Sequence, residues 1–358
     1  MKKAGQILIA LILNSAFLIS GAQDVHFSQF YETPSLLNPA MIGATNNLRA
    51  SLQYKNQWGS VTVPYKTFAA SFEMKFNQKN WEQGDNASQF SKKLSKGLAG
   101  GISVLSDKAG DGDMGLTQAT FSIASQVPLN EKNALSIGLQ ASIAQRSIDY
   151  SKLIWPSQYN GTGYDPNINP NENFSSSDFV YGDYVAGLLW TYGKGEMYMT
   201  ANDEVKINAG FSLYHLGKPK ESYFSNASEV LNMRYVAHGG MIFGIKNSSL
   251  DIAPSFMLNF QGKTKEIVAG TLFKYNLRED SKYTGNIKSA FASIGGYYRN
   301  KDSVIPVVLL EVGSYALGVS YDVNISKLHA ASDYRGGIEI VLRFVGTNPY
   351  LYQNKPRF

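Results

Sequence analysis

The sequence predicts an all-β protein: a transmembrane antiparallel β-barrel of about fourteen strands, preceded by a non-strand segment that is a candidate plug of the lumen. Three observations support this. Apolar and polar residues alternate along most of the chain, as in a strand with one apolar face. Aromatic residues make up 13% of the chain and charged residues only 17%, which suits a membrane barrel with aromatic girdles. Beyond the N-terminus no apolar run approaches the roughly 18 residues of a spanning helix.

The first 22 residues have the three parts of a secretory signal peptide. Lys2 and Lys3 give a positive start, an apolar stretch runs from residue 7 to residue 19, and Ser20-Gly21-Ala22 is a small-residue cleavage site. The apolar stretch is too short to be a membrane anchor. We therefore expect residues 1–22 to be removed and the mature chain to begin at Gln23.

Charge and cysteine content exclude several classes of function. Loss of Lys2 and Lys3 lowers the formal net charge from +5 to +3, and the remaining basic residues are scattered, so we expect no nucleic-acid partner. The chain has no Cys, which excludes disulfides, thiolate catalysis and a lipid-modified N-terminal cysteine.

Residues 23–46 are apolar in part but do not alternate, and Pro34 and Pro39 interrupt them. We expect this segment to plug the lumen; the alternative is an extended periplasmic leader. The Asn38-Pro39-Ala40 motif is also similar to the hatch motif of fatty-acid-transporter-like barrels. The candidate plug residues are Phe27, Phe30, Tyr31, Asn38, Pro39 and Ala40.

The alternating segments between residues 47 and 345 are the predicted barrel. Within 67–76, for example, one face carries five apolar residues from Phe68 to Phe76, whereas the other carries Glu73 and Lys75. Runs of about 10 to 15 residues favour a membrane barrel over a soluble sandwich, because they match a tilted span of the bilayer. The predicted strands are 47–57, 65–76, 97–108, 114–128, 133–147, 179–193, 197–215, 231–245, 249–261, 264–276, 287–299, 303–312, 314–324 and 336–345.

An even number of strands places both ends of the barrel chain on one side, which we take to be periplasmic. The long connections 148–178 and 216–230 then lie outside the cell. The short connections 129–132, 193–195 and 247–248 become periplasmic turns. The long polar connection 77–96 is an exception, since parity also places it in the periplasm, as a short helix or a flexible loop.

Charged residues on the polar face of the strands are expected in the lumen, because they are costly against lipid. Both signs occur among them, which favours a filled lumen over a pore selective for one ion sign. The candidate lumen charges are Glu73, Lys75, Lys206, Glu266, Lys274, Glu339 and Arg343.

No constellation indicates catalysis, a metal or a cofactor. The four His residues are far apart in sequence, which is typical of loop or strand-end histidines. Asp107, Asp111 and Asp113 lack the spacing of an EF-hand loop and indicate a polar extracellular hairpin. We expect a protein without enzymatic activity.

The last predicted strand alternates apolar residues from Ile338 to Phe344 and ends in an aromatic residue. This pattern resembles the signal by which barrel proteins enter the outer-membrane assembly machinery. Residues 346–358 are then expected to form a periplasmic tail. Its candidate partner contacts are Tyr350, Tyr352 and Phe358.

Four segments together resemble one known family. They are DVHFSQFYETPSLLNPAMIGATNNLRASLQYKNQW at the start, GLAGGISVLSDKAGDG, LSIGLQASIAQRSIDYSKL, and SYDVNISKLHAASDYRGGIEIVLRF at the close. On these residues the chain is similar to the PorP/SprF family of type IX secretion proteins of Bacteroidetes, over essentially the whole mature chain. Departures are confined to longer loop material at 77–96 and 148–178.

The resemblance implies a role that the strand pattern alone does not give. It implies an outer-membrane barrel that docks, secretes or anchors a large cell-surface adhesin of the gliding-motility type. The implied partners are outer-membrane lipid, the C-terminal domain of the adhesin, and periplasmic proteins of secretion or motility. The alternative is a plugged barrel that transports a small hydrophobic solute, which rests on the hatch-like motif.

Overall fold

The computed structural model describes residues 24–60, 63–78, 97–172, 177–194, 202, 204–223, 229–278, 289–327 and 329–346. Its strands form one closed antiparallel barrel in which each strand pairs with its neighbours in sequence. Closure comes from β1 (Leu48–Gln57) and β14 (Arg335–Gly346), which pair from Leu48 with Gly346 to Gln57 with Gly337. The predicted fold class is confirmed.

Fourteen strands are present in the described chain, and most of them begin and end within three residues of the predicted bounds. The predicted start of β7 at residue 197 lies outside the described residues, and the described strand begins at Val205. Between β1 and β14 the strands are β2 (Tyr65–Gln78), β3 (Gly97–Ala109), β4 (Met114–Pro128), β5 (Asn133–Ser147), β6 (Asp178–Lys194), β7 (Val205–Tyr214), β8 (Arg234–Gly244), β9 (Leu250–Gln261), β10 (Thr264–Arg278), β11 (Ala290–Arg299), β12 (Ser303–Val312) and β13 (Tyr315–Asn324).

The outer and inner faces of the wall differ as the alternation predicts. On β5, Ile137 and Ile143 expose 53% and 68% of their surface outward. Their neighbours Ser136, Gln140 and Ser142 point inward and are buried. The apolar outer face suits contact with lipid. The polar side chains of the inner face need hydrogen-bond or ion-pair partners inside the barrel.

The two ends of the barrel carry different connections. One end, called here the loop end, carries the connections 58–64, 148–177 and 215–233. The opposite end, called the base, is where β1 begins and β14 ends. Its turn between β4 and β5 is fixed locally, because the Asn130 side chain accepts hydrogen bonds from the backbone N–H groups of Lys132 and Asn133.

Helical structure in the described residues is confined to single turns. They are Phe30–Glu32, Pro34–Leu37, Pro39–Met41, Tyr150–Lys152, Pro156–Gln158 and His329–Ser332. None of the helices in the described part of the chain is long and apolar enough to cross a membrane.

Candidate functional site: the filled lumen

Residues 24–46, called here the plug segment, run through the inside of the barrel from the base to the loop end. Near the base, Glu32 contacts Arg49 at the start of β1 and Arg343 near the end of β14. At the loop end, Asp24 contacts His215, directly after β7, and Arg234, the first residue of β8. The segment therefore traverses the lumen and touches the wall on several sides.

The plug segment is packed as a core rather than hydrated as a loop. Five of its apolar side chains expose no more than 5% of their surface: Phe27, Phe30, Leu37, Ala40 and Ile42. The rings of Phe30 and Tyr31 meet Tyr297 of β11 at centroid distances of 5.7 and 5.4 Å. Apolar burial and aromatic contact thus hold the segment in addition to its charges.

A chain of ion pairs closes the lumen near the base. Arg343 Nη1 lies 2.8 and 2.9 Å from the two carboxylate oxygens of Glu32, and its Nη2 contacts Glu311. Arg49 also reaches Glu32, and Lys274 Nζ lies 2.7 Å from Glu311. Because removing one partner of a buried pair costs about 3 to 5 kcal/mol, these charges specify where Glu32 must sit.

A second polar layer grips the backbone of the plug segment. The carboxylate of Glu339 accepts hydrogen bonds from the backbone N–H groups of Ser28, at 2.7 Å, and Gln29, at 2.8 Å. The Ser28 hydroxyl donates to Asp322 at 2.7 Å, and Arg299 Nη1 lies 2.9 Å from the same carboxylate. Backbone groups that are buried without water are satisfied here by wall side chains.

The Asn38-Pro39-Ala40 motif docks on the wall formed by β5 to β8. Asn38 Oδ1 accepts from the Ala40 N–H at 2.9 Å, while Nδ2 donates to the Leu188 carbonyl at 2.9 Å and to His238 Nε2 at 3.0 Å. Glycines in the wall let the motif approach the backbone of the strands closely. A Cβ on Gly138 would lie 2.3 Å from Ala40 N, and one on Gly187 would lie 2.0 Å from Asn38 Oδ1.

The loop-end terminus of the plug segment is held by a histidine between two carboxylates. His215 Nε2 donates to Asp24 at 2.6 Å and Nδ1 donates to Asp183 at 2.9 Å. Burial alone would lower the pKa of His215, but these hydrogen bonds and charges outweigh burial and raise it to about 9. Beside this cluster lies a cavity of about 80 Å³, lined on its apolar side by Leu105 and Leu116.

The structure places most of the predicted lumen charges inside the barrel. Glu73 lies 4.0 Å from Arg49, Lys75 donates to Gln126 at 3.1 Å, and Glu266 lies 3.2 Å from Arg299. Lys206 differs from the other lumen charges: it has inward parity but sits at the base, mostly exposed, paired with Glu204. The predicted plug residues all lie in the lumen, with Tyr31 partly buried and Phe27, Phe30, Asn38, Pro39 and Ala40 buried.

Several residues of the site were missed by sequence reasoning. The strand alternation gives the signal for five of them, since they share the inward parity of the predicted charges: Arg49, Lys55, Arg299, Glu311 and Asp322. The expectation of loop or strand-end histidines is wrong for His238, which lies within β8 and is buried in the lumen against Asn38.

Other predicted positions do not join the site. The candidate tail contacts Tyr350, Tyr352 and Phe358 lie outside the described residues, as does most of the connection 77–96. Asp113 of the Asp-rich hairpin pairs with Lys152 of the neighbouring loop. Within the described ranges, no group of three or more His, Cys, Asp or Glu side chains is arranged to hold a metal ion.

Comparisons with known proteins are consistent with this architecture. The family described as type IX secretion system membrane protein PorP/SprF matches residues 19–344. No significant match was found among curated proteins.

Three solved structures illustrate the similarity of this chain to known proteins. The toluene transporter TbuX of Ralstonia pickettii is 12% identical, with 87% of this chain and 92% of that chain covered and a TM-score of 0.45. A deletion mutant of the monoaromatic hydrocarbon channel TodX is 10% identical, with coverages of 88% and 94% and a TM-score of 0.47. BamA of Haemophilus ducreyi is 9% identical, with coverages of 84% and 70% and a TM-score of 0.41. These values give no information on what this chain binds.

The close approach at Gly138 gives a first prediction. In a Ser35→Cys background, where the cysteine-free chain supplies no other thiol, Gly138→Ala should raise the rate of maleimide labelling about tenfold, because overpacking by a methyl group costs about 1 to 3 kcal/mol and displaces the plug segment. Gly182→Ala on the next strand is the control, since its nearest atom would be 3.9 Å away. Equal labelling of the two variants would contradict the contact.

The histidine cluster gives a second prediction. Because the pKa of His215 is raised from 6.5 to about 9, its contribution to stability is complete below pH 6.5 and is lost as the pH rises through 9. The temperature at which the barrel loses its heat-modifiable gel mobility should therefore fall more steeply between pH 7 and pH 10 in the wild type than in His215→Gln. Parallel pH profiles for the two proteins would show that the cluster is not ionised as described.

Proposed function

The chain belongs to the PorP/SprF family of type IX secretion system membrane proteins, and on that premise we propose that this outer-membrane barrel is a docking station. Its loop end engages the C-terminal domain of a large secreted adhesin of the gliding-motility type. Its base engages periplasmic components of secretion or motility. The role is mechanical and non-enzymatic: the barrel holds its partners in the membrane.

The observation that carries this proposal is the filled lumen. The plug segment occupies the interior from base to loop end, and the cavity beside it measures about 80 Å³. A space of that size holds a few water molecules and not a polypeptide. A barrel with this interior is suited to holding partners at its two ends rather than to passing an adhesin through itself.

The loop end offers an ordered surface for a protein partner. In the loop 148–172 the Gln158 side chain is buried and donates to the Ile168 carbonyl at 3.0 Å, while Lys152 ties the loop to Asp113 of the β3–β4 hairpin. This framework presents Ile154 and Tyr159 to solvent, with 70% and 62% of their surface exposed. Exposed aromatic and aliphatic side chains on a pre-ordered loop are typical of protein interfaces.

The base is the side on which we place the periplasmic partner. Short turns such as 129–132 leave Leu129 exposed there, and the tail beyond residue 346 follows from the same end. Tyr350, Tyr352 and Phe358 remain the proposed contacts for that partner. Because the plug segment separates the two ends, partners at the base and at the loop end bind independently.

Transport of a small hydrophobic solute is the second candidate function. The apolar lining of the cavity favours it, since Leu105 and Leu116 face Phe27 and Leu36 there. Its volume counts against it, because about 80 Å³ is roughly half of the 150 Å³ that an engineered protein cavity offers to benzene. Unchanged solute uptake after deletion of residues 24–46 would remove this function.

The docking proposal predicts that binding of the adhesin depends on the loop 148–172. Tagged protein, crosslinked in native outer membranes and extracted in mild detergent, should bring down a very large surface protein or a type IX subunit in near-stoichiometric amount. Ile154→Asp should reduce the recovery of the adhesin about tenfold, because a charge at the centre of an interface is strongly disfavoured.

Leu129→Asp is the matched control, since it places the same charge on a residue of similar exposure at the base. It should leave recovery of the adhesin unchanged. Recovery of the barrel alone, or an equal loss in both variants, would contradict docking at the loop end.

A further inference from the structure

Two lysines stand side by side on the outer wall near the loop end. Lys66 of β2 and Lys108 of β3 are directly opposite each other in the register of the two strands. Both are exposed, and both have the outward parity of Phe68 and Phe72 on β2 and of Ile102 and Val104 on β3. The pair therefore faces the surroundings of the barrel and not its lumen.

The pair stands beyond the apolar belt of the outer wall, where lipid headgroups are expected. Phe68 is 45% exposed and belongs to the apolar belt, and Lys66 precedes it by two residues on the same face. At about 3.4 Å per residue, the lysine lies roughly 7 Å beyond the belt along the strand.

The charges of the pair are only weakly compensated by the described residues: Lys108 interacts with the carboxylate of Asp113, which itself pairs with Lys152. Like charges directly opposite on neighbouring strands are destabilising. Among the described residues, no carboxylate lies within 4.0 Å of either ammonium group, although Lys55, Lys152, Lys206 and Lys274 all have such a partner. Asp113 borders the same cleft, but its carboxylate pairs with Lys152.

A cleft of about 250 Å³ opens between the two lysines. Val63, Pro64, Ala109 and Gly110 line it together with Lys66, Lys108 and Asp113. It combines two basic side chains with a short apolar rim, next to the exposed Phe and Ile side chains of the outer wall. A ligand that carries a phosphate and hydrocarbon chains matches both parts: ammonium groups bind the phosphate, and the apolar belt receives the chains.

We propose that Lys66 and Lys108 form a binding site for the phosphorylated headgroup of an outer-leaflet lipid, of the lipid A type. The phosphate lies between the two ammonium groups and relieves their repulsion. The acyl chains descend along Phe68, Phe72 and Ile102. The site fixes one lipid beside β2 and β3, below the hairpin that carries Asp113, and is independent of the docking role.

The test is lipid binding to the purified full-length barrel, followed by native mass spectrometry with lipid A as the probe. Lys66→Gln/Lys108→Gln should weaken the affinity for lipid A about thirtyfold, because each basic residue near an anionic surface contributes about 1 kcal/mol and the variant removes two of them. Lys66→Arg/Lys108→Arg should retain binding. All variants should keep the heat-modifiable mobility of a folded barrel, since the two side chains are exposed.

Lys263→Gln/Lys265→Gln is the matched control. It removes the same charge from exposed loop-end residues around β10, on another part of the wall. It should bind lipid A like the wild type. Equal loss in both double variants would show general electrostatic attraction and overturn the site.

A second arm separates the lipid from free phosphate. Inorganic phosphate in millimolar excess should not displace bound lipid A, because it lacks the acyl chains that contact the belt. Displacement by inorganic phosphate, or retention of lipid A by the Lys66→Gln/Lys108→Gln variant, would overturn the proposal.

Discussion

The rest of the structure depends on charge compensation between the plug segment and the inner wall. A closed barrel of this size turns buried polar and charged side chains toward its axis, and each unpaired charge there is costly. The plug segment supplies partners for these side chains at three levels. Glu32 pairs with Arg343 near the base, the backbone N–H of Ser28 donates to Glu339, and Asp24 pairs with His215 at the loop end. Wall and plug therefore form one folded unit.

This constraint shapes what the barrel is able to do. Because the plug segment occupies the interior, the surfaces left for partners are the two ends and the lipid-facing wall. The loop end carries the ordered loop with Ile154 and Tyr159. The outer wall carries Lys66 and Lys108, which form no ion pair with the residues that the structure describes. This member of the type IX secretion family is thus an outer-membrane barrel whose two ends are separated by its own N-terminal segment.

The sequence predicts the wall better than the site. The strands were predictable because the period of two is local, and it assigns Ile137 outward and Gln140 inward without knowledge of the fold. The plug was recognisable from its lack of alternation. By contrast, the contact of His215 with Asp24 joins residues 191 positions apart, and it depends on barrel closure and on the path of the segment through the lumen. No local pattern encodes those.

The most direct test of a filled lumen is the ionic current through the purified barrel in a planar lipid bilayer. The ion pairs and packing described here predict no steady current from the intact chain, and stepwise channels when residues 24–46 are deleted. Steady single-channel steps from the intact chain would contradict the account, because they require a continuous water path past Glu32, Asn38 and Asp24.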